Sequence, residues 1–462
     1  MTGSREGAVA RAADGFDTGD FVAGLARLVA QPTQSQLIDA HLSLGSYFVY
    51  TIGPELRTLG FALDILDNPN PGVGPVLLAT RHEGRDRPSI LIYGHGDVVL
   101  GQAESWRSDL NPWTVTADGD RLYGRGTADN KGQHWTNIGG LRAVIAERGS
   151  LGFNCTILLE SDEEMGSRGL REFCRMHAER LRADVLIASD GPRIDPARAT
   201  IVLGSRGLVN FELALKLREG AHHSGNWGGL IRDPGLVLAH AIASLTDARG
   251  QISVPEWRPG SLTPEISELL ADVQVSGGDS GPAIDHDWGE GGLSPEERVY
   301  GWNSFAVLAL ELGDPMRPQN AIAPEARAVC QLRYVVGTDP GDILPALRRH
   351  LDAHGFHNVT VTPTRMAGMR ATRSNPNNEW VQLALKSVNK TLGDTGKAAL
   401  IPNIGGGIPN DIFAEDLGMP TVWIPHSYAG CNQHAPNEHM LAPVAREGLQ
   451  IMAGLFWDIG LD

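Results

Sequence analysis

Titratable side chains stand just after several short apolar segments of this chain. They are His95 and Asp97 after residues 89–93, Asp129 after 122–128, Glu163 and Glu164 after 155–159, Asp190 after 185–188, and His434 downstream of 420–425. Apolar segments of this length are typical of strands in a sheet that is covered on both faces. In such sheets, ligands bind beyond the carboxyl ends of the strands. The sequence therefore predicts that two histidines and several carboxylates converge on a site for two divalent metal ions.

Each of these residues also has an ordinary interpretation when it is taken alone. His95 with Asp97 could be a turn histidine beside a solvated aspartate, and Asp129 could simply cap a helix. Asp190 precedes Gly-Pro, as turn residues do, and His434 could lie in a surface loop. The occurrence of all of them after successive apolar segments of one chain is improbable by chance.

The neighbouring acids Glu163 and Glu164 are more informative than any single residue. Two adjacent carboxylates repel each other, and their charges are costly unless a positive group lies close to both. One of them can bind a metal ion while the other faces the metal-bound water. The alternative is an exposed acidic turn at the start of a helix, where the helix dipole favours acids.

The composition is that of a globular protein large enough for two or three domains. Of the 462 residues, 42% are hydrophobic and 20% are charged. The net charge of -16 argues against nucleic acid and anionic membrane surfaces as partners. The four cysteines form no Cys-x-x-Cys pair, so neither a disulfide framework nor a thiolate zinc site is indicated. No segment is typical of a signal peptide or a membrane span, and we expect a cytoplasmic protein.

Two patterns of predicted elements divide the chain. As far as about residue 190, helical and strand patterns alternate, which predicts α/β architecture with a mostly parallel sheet. Between 204 and 366 the predicted order is βαββαβ, the ferredoxin-like unit, with a Gly/Pro-rich loop at about 250–300. We therefore predict a catalytic domain formed by residues 1–203 and 367–462, with an inserted α+β lid and dimerisation domain formed by residues 204–366.

Several short motifs together make the chain resemble a known family. They are Gly94-His95-Gly96-Asp97, Gly124-Arg125-Gly126-Thr127-Ala128-Asp129, Asp162-Glu163-Glu164-Met165-Gly166-Ser167, Ser189-Asp190, His223-Ser224-Gly225, Gly228-Gly229, Asn320-Ala321-Ile322 with Pro324, Gly405-Gly406-Gly407-Ile408-Pro409, and His434. With these motifs, the chain resembles the zinc-dependent aminoacylase and exopeptidase family from about residue 20 to its end. That family includes acetylornithine deacetylase, succinyl-diaminopimelate desuccinylase, glutamate carboxypeptidase and the carnosinase-type dipeptidases.

The resemblance implies a site for two metal ions. The implied ligands are His95 and Asp190 on one ion, Glu164 and His434 on the other, and Asp129 bridging both. Three ligand carboxylates and a bridging hydroxide nearly neutralise two divalent cations. Nitrogen and oxygen donors without sulfur suit zinc, and cobalt or manganese also fit.

The same resemblance implies catalytic roles for three further residues. Glu163 would be the general base, which takes a proton from water and returns it to the leaving nitrogen. Asp97 would orient His95, because a carboxylate beside a ligating imidazole fixes its tautomer. His223 would reach the tetrahedral oxyanion from the lid domain of a second subunit, so a homodimer is implied; its alternative is a histidine on the lid surface.

Substrate-binding residues are implied at three further places. Arg333, on the predicted strand 326–335, matches the position where the family binds the substrate carboxylate through a bidentate guanidinium. A solvated strand arginine is the alternative. Asn320 would assist at the carbonyl or carboxylate, and Gly405, Gly406 and Gly407 would offer backbone N–H groups to an anion, unless they form only a flexible turn.

These observations predict a hydrolase that needs two metal ions and cleaves an amide bond next to a free carboxylate. The preferred substrates are dipeptides or small N-acyl amino acids. The long separation between His223 and Asn320 resembles the carnosinase-type dipeptidases, whereas Ser161-Asp162 before the acidic pair resembles the deacylases of the family. Two alternatives are a hydrolase of a non-peptide amide and, in a different class, a catalytically silent metal-binding protein.

Overall fold

The structure is a computed structural model, and it describes residues 3–275, 282–364 and 369–461. The helices are α1 (Arg5–Asp17), α2 (Asp20–Val29), α3 (Ala40–Ser46), α4 (Gly53–Thr58), α5 (Lys131–Arg148), α6 (Leu170–Met176), α7 (Ala178–Leu181), α8 (Ser224–Trp227), α9 (Pro234–Ala243), α10 (Pro264–Ala271), α11 (Ile343–Ala353), α12 (Glu379–Leu392) and α13 (Ala442–Ile459). The strands are β1 (Ala62–Leu66), β2 (Val76–Arg81), β3 (Ser89–His95), β4 (Thr116–Asp118), β5 (Arg121–Tyr123), β6 (Asn154–Glu160), β7 (Val185–Ala188), β8 (Pro192–Arg193), β9 (Thr200–Val202), β10 (Gly207–Lys216), β11 (His222–His223), β12 (Ser304–Glu311), β13 (Ala321–Ile322), β14 (Glu325–Tyr334), β15 (Thr360–Pro363), β16 (Ala399–Ile401), β17 (Thr421–Trp423), β18 (Ser427–Tyr428) and β19 (His439–Leu441).

The large sheet contains eight strands in the order β1-β2-β6-β3-β7-β17-β9-β16. The four strands at its centre, β6, β3, β7 and β17, are parallel, and β1 and β2 are antiparallel to their neighbours. Ile90 and Ile92 of β3 enter one hydrophobic cluster, whereas Leu91 and Tyr93 enter another on the opposite face. Since both faces are covered, the strand is apolar throughout. The predicted α/β architecture with a mostly parallel sheet is confirmed.

Helices pack on both faces of this sheet. The first cluster includes Trp135 of α5 and Phe456 of α13, together with residues of α1, α2 and α12. The second includes Phe173 of α6 and Phe413, from the helical turn Ile412–Asp416. The two hydrophobic layers fix the strands, and the residues that follow the strands are therefore held in place.

The second sheet has the order β12-β14-β10-β15, and its neighbouring strands are antiparallel. Helices α9 and α11 lie in the chain between its strands, which gives the predicted βαββαβ order. Phe211 and Leu213 of β10 are buried, while the alternating Asn210 and Glu212 are partly exposed. The buried face packs against the two helices in a third hydrophobic cluster that includes Leu238 and Leu347. This sheet is therefore covered on one face only.

The chain passes from the large sheet to the small one at about residue 204, and the outgoing and returning segments lie side by side. Thr372 N–H donates to Ser205 O at 3.0 Å, and Ser374 N–H donates to Leu203 O. The predicted boundary between 366 and 367 lies outside the described residues, so the division into domains stays a prediction. None of the described helices is both long and apolar enough to span a membrane.

Two local expectations need correction. The sequence predicts that Ser167 caps a helix that runs to about Leu181. The structure has two short helices there, α6 and α7, and the Ser167 hydroxyl donates to Glu160 instead of capping a helix. The segment before Asp129 is also no part of the large sheet, since β5 pairs with β4 and β19 in a separate three-stranded sheet.

Candidate metal centre

Three neighbouring strands of the large sheet deliver acids and a histidine to one edge. His95 is the last residue of β3, and the turn Glu163–Met165 follows its neighbour β6. Asp190 follows β7, which is parallel to β3 on the other side. Because these strands are parallel, their carboxyl ends meet at the same edge of the sheet. The local sequence and the sheet order together bring these side chains close to one another.

Asp129 and His434 reach the same place from two loops. Asp129 precedes α5, and His434 lies in the loop before β19. Strand β19 pairs with β5, with His439 opposite Tyr123, so the two loops leave the same short sheet together. His434 has a positive φ of 60°, which an ordinary residue adopts only where the surrounding structure requires it.

The side chains form two groups that share Asp129. In the first, His95 Nε2 lies 3.0 Å from Asp129 Oδ1 and 3.6 Å from Asp190 Oδ2. In the second, His434 Nε2 lies 3.1 Å from Asp129 Oδ2 and 2.9 Å from Glu164 Oε2. Within each group the potential ligand atoms all lie within 4.8 Å of one another. The five residues predicted as ligands are thus brought together, and their roles stay a prediction.

The donor set fits divalent cations. Each group offers one imidazole nitrogen and two carboxylates, and the two carboxylate oxygens of Asp129 each face one of the histidines. Burial, followed by the charge of Asp129, raises the pKa of Glu164 and of Asp190 above the ordinary range. The hydrogen bonds to Asp129 and Glu164 raise the pKa of His434 to about 11. This buried excess of negative charge is what two cations would neutralise.

Asp97 connects the two halves of the site. It is fully buried, and its Oδ1 lies 3.3 Å from His95 Nδ1, which also lies 3.1 Å from the Asp97 carbonyl oxygen. The same carboxylate accepts the backbone N–H groups of Glu163 and Glu164, both at 3.2 Å. Asp97 therefore lies against the imidazole that it is predicted to orient, and it also holds the backbone of the acidic turn, a contact that the sequence did not predict.

Glu163 stands beside the two groups without belonging to either. Burial raises the pKa of its carboxyl well above the ordinary range, and the charges of Asp190, Glu164 and Asp129 act in the same direction. A carboxylate whose ionised form is disfavoured in this way is a proton acceptor of raised basicity. This position agrees with the predicted general base.

The remaining predicted residues lie on other elements. His223 is an exposed residue of β11, with Nδ1 accepting the Gly225 N–H at 3.1 Å. Asn320 lies close to His223, since the backbone carbonyl oxygen of Asn320 accepts hydrogen bonds from the N–H and the hydroxyl of Ser224. Arg333 is a half-buried residue of β14 in the small sheet, next to Arg206. None of these residues belongs to the two metal-binding groups found among the described residues.

The three predicted glycines Gly405, Gly406 and Gly407 follow β16 in the large sheet. A Cβ atom at Gly405 would lie 3.6 Å from Val299 Cγ1, so the glycine loop approaches the predicted lid loop. Two functional candidates were not predicted from the sequence. Glu438 is a buried acid that contacts the Asp129 turn, and Arg206 is a buried arginine beside Arg333. In the sequence, Glu438 could have been noticed because it follows His434 closely, and Arg206 because it stands between the glycines at 204 and 207.

The fold and the site together define a two-sheet α/β protein with a candidate two-metal centre at a strand edge. The model of peptidase family M20/M25/M40 matches residues 91–458. The chain belongs to this family.

Individual relatives agree with that assignment. The chain is 32% identical over 215 residues to a β-Ala-His dipeptidase of Rattus norvegicus, an alignment that covers 44% of this chain and 43% of the rat protein. It therefore spans less than half the length of that relative. It is 25% identical over 367 residues to a cysteinylglycine-S-conjugate dipeptidase of Corynebacterium striatum, with coverage of 77% and 76%.

Solved structures share the fold. An M20 family metallo-carboxypeptidase from Sulfolobus solfataricus superposes with a TM-score of 0.77 at 23% identity, covering 96% of this chain and 100% of that one. Human carnosine dipeptidase 1 gives a TM-score of 0.74 at 22% identity, covering 98% and 100%. These likenesses extend over nearly the whole chain, and they agree with the expected α/β sheet and inserted α+β unit.

Proposed function

We propose that the protein is a metal-dependent hydrolase that cleaves the amide bond of small dipeptides next to a free carboxylate. The observation that carries this proposal is the pair of ligand groups that share Asp129, with Glu163 beside both. The dipeptidase names of the relatives from Rattus norvegicus and Corynebacterium striatum support the substrate class.

The residues of the chain have separate tasks in this reaction. His95, Asp129, Asp190, Glu164 and His434 would hold two divalent ions. When bound, such a pair of ions acidifies water and polarises the substrate carbonyl. Nitrogen and oxygen donors without sulfur favour zinc, and cobalt or manganese also fit the set.

Proton transfer is the task of Glu163. Its carboxylate accepts a proton from the attacking water and returns it to the amide nitrogen as the C–N bond breaks. The backbone N–H of Glu163 is held by the Asp97 carboxylate at 3.2 Å. This hydrogen bond fixes the base relative to His95, because the same carboxylate lies against the imidazole.

Arg333 would bind the free carboxylate of the substrate. Its Nε donates to Gln331 Oε1 at 3.1 Å, and the part of the chain that the structure describes offers it no carboxylate partner. Arg206 lies beside it, with Nη2 donating to the Arg333 carbonyl oxygen at 3.2 Å, and is also without an acidic partner among the described residues. Burial, and then the charge of Arg333, lowers the pKa of Arg206 to about 10. A buried and a half-buried cation without a counter-charge favour the binding of an anion beside them.

The lid domain would also form a homodimer. Strand β12 is an edge strand of the small sheet, and it exposes Val307, Leu308 and Leu310. An apolar edge strand is a template for pairing with a second copy. His223 is exposed on β11, within the predicted lid domain, and this position agrees with its expected role toward the site of a second subunit.

The four cysteines are all free and buried, which supports a cytoplasmic location.

The experiment is amine release by the zinc-loaded protein from matched dipeptides and N-acyl amino acids, with Glu163→Gln as the blank. We expect faster turnover of dipeptides, and a loss of about a hundred- to ten-thousand-fold in kcat in the variant, the usual contribution of such proton transfer. Faster N-acyl turnover would instead support a dedicated deacylase. Turnover of neither class by a protein that binds two zinc ions would favour a non-peptide amide substrate or a silent metal-binding protein.

A further inference from the structure

Glu438 is a fully buried carboxylate that contacts the turn carrying Asp129. Its Oε1 accepts three backbone N–H groups, from Gly126 at 3.0 Å, Ala128 at 3.0 Å and Asp129 at 3.1 Å. Its Oε2 accepts Nη1 of Arg125 at 2.8 Å. Its side chain is 1% exposed. One carboxylate therefore accepts three of the N–H groups of this turn and one nitrogen of the Arg125 guanidinium.

The position of Glu438 in the chain connects the two loops of the site. It lies four residues after His434 and directly before β19. Its own carbonyl oxygen accepts the Gly124 N–H at 3.0 Å, just where the pairing of β5 with β19 ends. The backbone of Glu438 thus holds the start of the Asp129 turn, while its side chain holds the rest.

A buried N–H group that loses its acceptor costs free energy, and an ionised acceptor makes the hydrogen bond stronger. The turn also depends on a left-handed residue, Gly126, whose φ is 89°. Because three N–H groups of the turn converge on one oxygen of Glu438, loss of that oxygen would leave all three without this acceptor.

We propose that Glu438 is a positioning residue that holds Asp129 between His95 and His434. The inference rests on the proposed two-metal function and deepens it. Glu438 belongs to neither of the two ligand groups found among the described residues, and it acts through the backbone of the shared ligand. Its removal should therefore weaken metal binding through Asp129.

Arg125 determines how the test must be designed. It is buried with Glu438, and a buried ion pair that loses one partner leaves an unpaired charge that destabilises the whole fold. Both partners must therefore be changed together. The pair Glu438→Gln with Arg125→Gln removes both charges and keeps an acceptor oxygen for the three N–H groups. The pair Glu438→Met with Arg125→Met removes both charges and the acceptor.

Two readouts separate positioning from general stability. The first is hydrogen exchange at Gly126, Ala128 and Asp129 in the metal-free protein, and the second is zinc affinity in competition with a chromophoric chelator. We expect the Met pair to exchange faster at these amides and to bind zinc about 10- to 100-fold more weakly, as for other residues that orient ligands. We expect the Gln pair to stay close to the unchanged protein in both. Equal zinc affinity and equal protection in the two pairs would overturn the inference.

If the Met pair does not fold, Glu438→Asp tests the same point. This change keeps the charge beside Arg125 and withdraws the carboxylate from the turn, so we expect the same loss of zinc affinity. An unchanged affinity would refute the positioning role.

Failure of the proposed function would give a different result. An unchanged protein that binds two zinc ions but releases no amine from dipeptides would remove that function, while the comparison of zinc affinities would still support or overturn the role of Glu438.

Discussion

Substitution of Asp97 by asparagine should weaken metal binding more than it weakens the fold. The carboxylate receives three donors, namely His95 Nδ1 at 3.3 Å and the N–H groups of Glu163 and Glu164 at 3.2 Å. An asparagine side chain can accept with its oxygen only, so at least one donor loses its acceptor. A buried donor without a partner costs about 1–3 kcal/mol. Residues that orient ligands contribute about 10- to 100-fold in metal affinity, or roughly 1.4–2.7 kcal/mol.

The assay is zinc affinity by chelator competition, with the free energy of unfolding of the metal-free protein measured in urea. Glu83→Gln is the matched control. The Glu83 carboxylate also accepts two backbone N–H groups, from Leu151 at 2.9 Å and Gly152 at 3.1 Å, but it lies at the opposite end of β2 and β6. Both variants should lose about 1–3 kcal/mol of stability, and only Asp97→Asn should lose zinc affinity. Unchanged zinc affinity in Asp97→Asn, at the same loss of stability as the control, would refute this reasoning.

Three further predictions concern the substrate, the dimer and the metal. Arg333→Ala should raise KM for carboxylate substrates about 10- to 150-fold with little change in kcat, because each hydrogen bond to a charged group contributes about 1.5–3 kcal/mol. The control Arg327→Ala removes an exposed arginine of the same strand and should leave KM unchanged. If Arg333→Ala and the unchanged protein have equal KM values in steady-state kinetics, the carboxylate site lies elsewhere. Val307→Lys together with Leu310→Lys should yield monomers in analytical ultracentrifugation, because the two lysines charge an exposed apolar edge strand. The control is Met176→Lys, at an exposed position on α6, which should leave the dimer intact. A dimer that persists in the double variant would place the interface elsewhere. Removal of metal by a chelator should lower the free energy of unfolding by about 2.7 kcal/mol per site, relative to protein at a hundredfold excess of zinc over Kd; identical urea curves with and without chelator would argue against a metal centre.

The strand patterns of the sequence predicted most of the fold. Apolar segments such as 89–93 became strands at the centre of the large sheet, and the alternation at 208–216 became a strand with one covered face. These patterns are local, since burial on one or two faces determines which residues can follow one another in a strand. The same strands explain why His95, Glu164 and Asp190 could be identified as neighbours, because parallel strands end at a common edge.

The partners of these residues depend on tertiary structure. Asp97 binds the acidic turn 66 and 67 positions further along, and Glu438 binds the Asp129 turn across a separation of 309 positions. Arg206 and Arg333 meet across 127 positions. Nothing in the local pattern relates residues at such distances, because their contact depends on sheet order and on the packing of loops.

The sequence by itself therefore determined the two classes of sheet, the residue types of the metal centre and the strand ends at which most of them stand. The tertiary structure decided that Asp129 lies between the two histidines, that Asp97 also fixes the acidic turn, and that Glu438 supports the shared ligand. The physical reason is that side-chain periodicity records burial, whereas hydrogen bonds between distant segments exist only once the chain has folded.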